Sequence, residues 1–170
     1  MEVFEAVRTV LAVRRYQDRA IPAEVVRQIV DAGRLTGSSM NKQPWHFVVV
    51  EDRATLSQLG ALARSGPYIA QARLAVVVLV EQTEYAVSDA SRAIQSMLLT
   101  AWAAGIGSNW VGFGHLDALR ALLGIPAELD VLAILPFGYS AEELGQGKKK
   151  RKPADAVVSG ERYGQPFEHA

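Results

Sequence analysis

Ser38-Ser39-Met40-Asn41-Lys42-Gln43-Pro44-Trp45 gathers hydroxyl and amide side chains just ahead of an aromatic residue, between a helical pattern and an apolar run. Such groups both donate and accept hydrogen bonds, which suits a planar heterocycle with alternating carbonyls and ring nitrogens. They equally suit a turn whose side chains satisfy its own backbone, and composition leaves both readings open. A second chemical feature is the unbroken basic run Lys148 to Lys152, which fits either a local anion or a solvated charge string. The chain has no cysteine, so disulfides, thiolate metal ligation and thiol redox chemistry are excluded and redox work requires a borrowed cofactor. Its histidines, His46, His115 and His169, are scattered. His46 opens an apolar run and suits either a site lining or a structural role.

With 170 residues and 49% hydrophobic content, the chain has material for one core, and a single domain over 1–170 is expected. Eighteen basic and eighteen acidic side chains cancel, which argues against a surface built for nucleic acid or an anionic membrane. The basic run has no interleaved aromatics of the kind that stack on bases. The acidic start, Met1-Glu2-Val3-Phe4-Glu5, does not resemble a secretory signal, and no apolar run has the ~18 residues of a span. A cytoplasmic location is the default expectation.

Val3, Phe4, Val7, Val10 and Leu11 predict a first helix with one buried face, and Val25, Val26, Ile29 and Val30, after Pro22, predict a second ending near Gly33. A polar loop spans Thr36 to Pro44. Phe47 to Val50, Leu74 to Val80 and Val131 to Leu135 read as strands buried on both faces in the middle of a sheet. Leu56, Leu59 and Leu62 mark a third helix before Gly66-Pro67. From about Glu84 to Ala104, Val87, Ala90, Ile94, Met97, Leu98, Ala101 and Trp102 line one stripe. Leu99, Ala103 and Ala104 make the other side apolar too, as expected of a helix in a core or subunit interface. Asn109 to Phe113 suit a fourth strand, Leu116 to Leu123 a short helix, and Val157-Val158 a last extended piece within a tail over 140–170. This element order suggests an α+β or three-layer sandwich.

Asn41-x-Gln43-Pro44-Trp45, running into Phe47 to Val50, is similar to the N-x-Q-P-W signature of the nitroreductase family. Arg14-Arg15-Tyr16 with Asp18-Arg19-Ala20-Ile21-Pro22 resembles that family's arginine-rich entry. Gly105-Ile106-Gly107-Ser108-Asn109-Trp110 resembles its G-L-G-S-x-W, and Pro136-Phe137-Gly138-Tyr139 with Arg151-Lys152-Pro153 its closing P-x-G-Y and R-K-P. The matches keep the family's order over nearly the whole chain.

The resemblance implies an intertwined homodimer of α+β sandwiches, each a mixed but mainly antiparallel sheet flanked by helices, with FMN at the interface. The tail over 140–170 would reach the partner. Arg14, Lys149 and Arg151 match basic positions at the FMN phosphate or ribityl chain, where charge-assisted bonds are strong. Ser38, Ser39, Asn41 and Gln43 match the loop that meets the flavin. Gly112 and Phe113 match the stretch whose backbone lies beside the reactive flavin nitrogen, where an N–H stabilises charge without a titrating side chain. The implied activity is ping-pong hydride transfer from NADH or NADPH to a small electron-poor acceptor, a nitroaromatic or quinone, with the cofactor carrying the chemistry. The alternatives are a flavin-binding or sensing protein without turnover, or a related flavin enzyme with another substrate.

The chain departs from the family at three places. Val10, Leu11, Ala12, Val13 and Arg14 stand where R-R-S-x-R is usual, so upstream polar contacts to the phosphate are gone, with Arg8 one helical turn earlier. Thr36-Gly37-Ser38 replaces A-P-S. Between Val80 and Asp89 there is little room for the helical excursion that often covers the substrate.

Overall fold

The structure is a computed structural model that describes residues 1–63, 65–112, 116–144 and 149–167. The elements run α1 (Val3–Thr9), α2 (Ala23–Arg34), β1 (Trp45–Val50), α3 (Arg53–Leu62), β2 (Leu74–Glu81), α4 (Ala86–Ala103), β3 (Gly107–Ser108), α5 (Leu116–Leu123) and β4 (Leu129–Gly138), with single 3-10 turns at Ser39–Asn41, Pro67–Gln71 and Ala154–Ala156.

The strands form one four-stranded sheet in the order β1-β2-β4-β3. Every pairing between named strands is antiparallel, from Trp45↔Val80 at one edge to Gly107↔Gly138 at the other. The parallel contribution is a single bridge, Ala12↔Ser108, which brings the segment after α1 beside β3.

β2 explains the layering. Its side chains alternate between two faces, and Leu74 through Val80 are all buried. Leu74, Val76, Val78 and Val80 pack with Ile29 of α2, Ile94 and Met97 of α4 and Phe137 of β4. Ala75, Val77 and Leu79 pack with Leu56 and Leu59 of α3 and Leu119 of α5. A strand that is apolar on both faces requires a helical layer on each, so the expected α+β three-layer sandwich is the fold observed.

Five expectations are corrected. β1 is an edge strand rather than a central one. It is paired only to β2, and Val49 is 40% exposed. The first helix forms, but it stops at Thr9 and leaves Val3, Phe4 and Val7 exposed, with only Ala6 buried. The buried stripe of α4 starts at Ala86 and includes Asp89, whereas Val87 points outward. The fourth strand lies earlier than Asn109 to Phe113, at Gly107–Ser108, leaving Val111 with an isolated bridge to Ile134; Phe113 lies outside the described residues. The tail also differs: Val157 and Val158 are exposed and follow a 3-10 turn, with no strand there. Among the described residues, no helix is long and apolar enough to cross a membrane.

The glycine-rich segment after α4 is structural at Gly107. A Cβ there would lie 2.7 Å from Val13 Cβ and 2.4 Å from Val13 Cγ2. Gly107→Ala should therefore push apart the bridge between the 12–13 segment and β3. The expected cost is about 1–3 kcal/mol in urea unfolding, and an unchanged midpoint would show that this contact relaxes freely.

Candidate functional site

The expected site residues fall into three groups. The first is the loop from Ser38 to Gln43. Met40, Asn41 and Gln43 all have left-handed backbones, with φ of 53°, 54° and 51°. Each costs roughly 1–2 kcal/mol for a residue bearing a side chain, with Asn the best suited. The loop is closed on itself by Ser38 Oγ, which accepts from the Gln43 N–H at 2.8 Å, and by Gln43 Nε2, which donates to Asn41 O and Oδ1 at 3.3 Å. Asn41 and Gln43 remain exposed.

Ser39 faces inward. Its N–H and hydroxyl donate to Asp89 Oδ2 and Oδ1 at 2.9 and 3.0 Å. Asp89 is 1% exposed in the first turn of α4 and also pairs with Arg92. Burial raises its carboxyl pKa, but the bonds from Ser39 and the Arg92 guanidinium outweigh that and hold it below the ordinary aspartate value. A cavity of about 140 Å³ beside it is lined by Ser39, Met40, Lys42, Glu84 and Tyr85. Spacing alone did not single out Asp89. Its one signal was that Asp89 and Arg92 are the only charged residues in α4, three apart.

The second group is cationic. Lys149 Nζ donates to Val7 O in α1 at 2.6 Å. Desolvation, then the like charges of Arg151 and Arg8, lower its pKa. Glu5 engages Arg8 at 2.7 Å. Arg14 is exposed on the segment that joins Ser108, where the Val13 N–H donates to Ser108 O at 2.9 Å. Beside it the buried Tyr16 hydroxyl donates to Val13 O at 2.7 Å, which fixes where Arg14 leaves the fold. Arg15 pairs with Glu142 and the Arg19 guanidinium lies 3.7 Å from the Tyr139 ring centre, so these two join the 15–19 segment to the turn after β4.

The third group is Gly112. Val111 O accepts from the Ile134 N–H at 3.0 Å, which fixes the peptide plane. In a trans peptide the Gly112 N–H then points the opposite way, away from β4. No described residue accepts from it, and the space where a Cβ would stand is empty of neighbours within 4 Å.

One chain keeps the first two groups apart. The loop is tied to Asp89 at the start of α4, while Trp102 near its end donates to Thr9 Oγ1 at 2.9 Å, beside Val7 and Lys149. From Asp89 to Trp102 the helix rises about 20 Å. His46 is exposed on β1, on the edge strand. His115, His169, Lys148 and Phe113 lie outside the described residues. A larger, open depression, of about 500 Å³, is lined by tail residues 155–159 and 161–164 and includes none of these groups.

The model of the nitroreductase family matches residues 8–86 and 70–139. The chain belongs to the nitroreductase family. It is 36% identical over 152 residues to an Archaeoglobus fulgidus protein described as a candidate NADH dehydrogenase/NAD(P)H nitroreductase, covering 84% of this chain and 87% of that one. A protein of the same description from Methanothermobacter thermautotrophicus is 32% identical over 154 residues, covering 85% and 81%. A crystal structure described as a candidate nitroreductase from Desulfovibrio desulfuricans in complex with FMN superposes with a TM-score of 0.84 at 30% identity, over 96% of this chain and 98% of that one. The chain thus shares the fold of that structure over nearly its whole length.

The depressed Asp89 value sets a pH dependence. Its stabilising contribution is complete above the ordinary aspartate range and is lost as the pH falls through its lower folded value. Asp89→Asn should therefore unfold at lower urea than the wild type at neutral pH, and the difference should close as the pH falls below the ordinary aspartate range and through the lower folded value. A gap that persists in acid would mean that the ionised carboxylate is not what stabilises the fold.

Proposed function

We propose that the chain is an FMN-dependent NAD(P)H oxidoreductase whose flavin sits between two copies. The observation that carries this is the gathering of Lys149, Arg151 and Arg8 beside α1, where Lys149 Nζ donates to Val7 O at 2.6 Å and desolvation, followed by the repulsion of Arg151 and Arg8, lowers the Lys149 pKa. A dianionic phosphate relieves that repulsion and makes charge-assisted bonds to the same groups. Arg14 would join them. Asn41 and Gln43 offer exposed amides that both donate and accept, and Gly112 offers an N–H whose direction is already set, so the residues present fit a flavin at each of its parts. The chemistry FMN supplies when bound is hydride exchange, inward from NADH or NADPH and outward to an electron-poor acceptor such as a nitroaromatic or quinone, in ping-pong order.

The chain's own residues then bind, orient and stabilise charge. Lys149, Arg151 and Arg14 hold the phosphate, with Arg8 standing near the places vacated at Val10, Leu11 and Ala12. Ser38, Ser39, Asn41 and Gln43 form the ring-facing loop. The N–H of Gly112 provides a preorganised donor where negative charge develops, so no titrating catalytic side chain is needed; Phe113 would follow it in that stretch. The spacing along α4 supports a site completed by a second chain. The exposed apolar residues Val3, Phe4 and Val7 are the kind of patch that a second copy covers, and the tail over 140–170 would cross to that copy.

Purified protein mixed with excess FMN and desalted should keep about one flavin per chain, read from its visible spectrum, and should oxidise NADH or NADPH steadily when an acceptor is present. Retained flavin without turnover would support the binding or sensing reading instead. Arg14→Ala and Arg151→Ala should each weaken FMN about ten- to hundredfold, the loss expected for one charge-assisted contact. Unchanged affinity in both would place the phosphate elsewhere. Phe4→Asp should shift sedimentation at micromolar concentration from dimer to monomer and release flavin at the same time, and a monomeric wild type would remove the composite site.

A further inference from the structure

The loop from Ser38 to Gln43 carries left-handed backbones at Met40, Asn41 and Gln43, none of them glycine. Strain of this kind persists only where the surroundings over-determine the conformation. The bonds among Ser38, Asn41 and Gln43 close the loop but do not set its orientation on the body of the protein. Among the described residues, the Trp45 N–H at the start of β1 donates to Gln43 O as the chain leaves the loop, and the hydrogen bonds that tie Ser38 to Gln43 to an element elsewhere in the chain both end on one carboxylate, that of Asp89.

That carboxylate is suited to be an anchor. It is buried, it sits in the first turn of α4, where the helix dipole favours negative charge, and Arg92 of the next turn pairs with it. It accepts both a backbone and a side-chain donor from Ser39, which fixes the position and the rotation of that residue. The chain from Met40 to Gln43 then leaves with its amide side chains outward.

We propose that Asp89 is a positioning residue for the flavin ring: it acts through Ser39 to hold Asn41 and Gln43 in the orientation that meets the ring. This rests on the reading that the loop faces a flavin. It gives Ser39 a different task from its neighbours, because its hydroxyl is engaged with Asp89 while the amides of Asn41 and Gln43 are exposed. Asp89 is 1% exposed and its two oxygens are engaged by Ser39 and Arg92, so it acts through Ser39, and its effect falls on the ring and not on the phosphate group across α4.

The test uses full-length, flavin-free Asp89→Asn and Asp89→Ala proteins. Three quantities are read: trypsin cleavage after the exposed Lys42 relative to other sites, melting temperature, and affinities for FMN and for riboflavin, which lacks the phosphate. Cleavage after Lys42 should rise selectively. Both flavins should lose affinity by the same factor, about tenfold, so that the preference for FMN over riboflavin is unchanged, whereas Arg151→Ala narrows that preference. A lower melting temperature with unchanged Lys42 cleavage and unchanged flavin affinity would overturn the proposal, since Asp89 would then support only the fold. Loss of FMN affinity alone, with riboflavin unaffected, would also overturn it. If the alanine variant does not fold, the asparagine variant, which keeps an acceptor for one Ser39 bond, decides by the same readouts. A wild type that binds neither flavin, together with faster cleavage after Lys42 in the variants, would refute the flavin role while leaving Asp89 as the loop's anchor.

Discussion

β2 has no polar face. Its backbone is satisfied on both sides by β1 and β4, and its side chains from Leu74 to Val80 are buried above and below. A strand in that state is stable only between two apolar layers, so α2 and α4 must close one face and α3 and α5 the other. The functional groups inherit their places from this demand. β1 delivers the 38–43 loop to the start of α4, β4 fixes the peptide before Gly112, and the turn after β4 is zipped to the 15–17 segment, where Gln17 N–H donates to Tyr139 O and Ala141 N–H to Arg15 O.

α4 links the core to the site because it has both roles. Ile94 and Met97 fill the layer against β2, while Asp89 at one end and Trp102 at the other secure separate chemical groups. The helix therefore works as a spacer of fixed length. Its rigidity keeps the cationic cluster and the polar loop apart in one chain, the spacing on which the proposal of a site shared between two copies rests. Val3, Phe4 and Val7 of α1 are left exposed in the same chain, which is the surface the proposed second copy would cover.

The loop shows how local strain and burial depend on each other. Three left-handed residues would relax in an isolated segment, and a buried carboxylate would be costly without partners. Each makes the other tolerable. Ser39 supplies the donors that Asp89 needs, and Asp89 supplies the fixed point without which the turn would adopt a commoner conformation.

The sequence by itself determined the family and most of the elements, though not the place of the short β3 nor the absence of a strand at Val157-Val158. The β-branched run of β2, the spacing of Leu56, Leu59 and Leu62, and Asn41-x-Gln43-Pro44-Trp45 are local signals, and helix and strand periods are local properties of the chain. It also named the candidate site residues by type and order, but not Asp89. Tertiary structure decided what depends on neighbours distant in sequence. It put β1 at an edge, because strand order is a matter of pairing partners. It turned Asp89 inward and Val87 outward, because the phase of a nearly uniformly apolar helix is set by what packs against it. It brought Lys149 to Val7 and fixed the direction of the Gly112 N–H, because both follow from contacts between segments far apart along the chain, and no spacing rule within one segment encodes them.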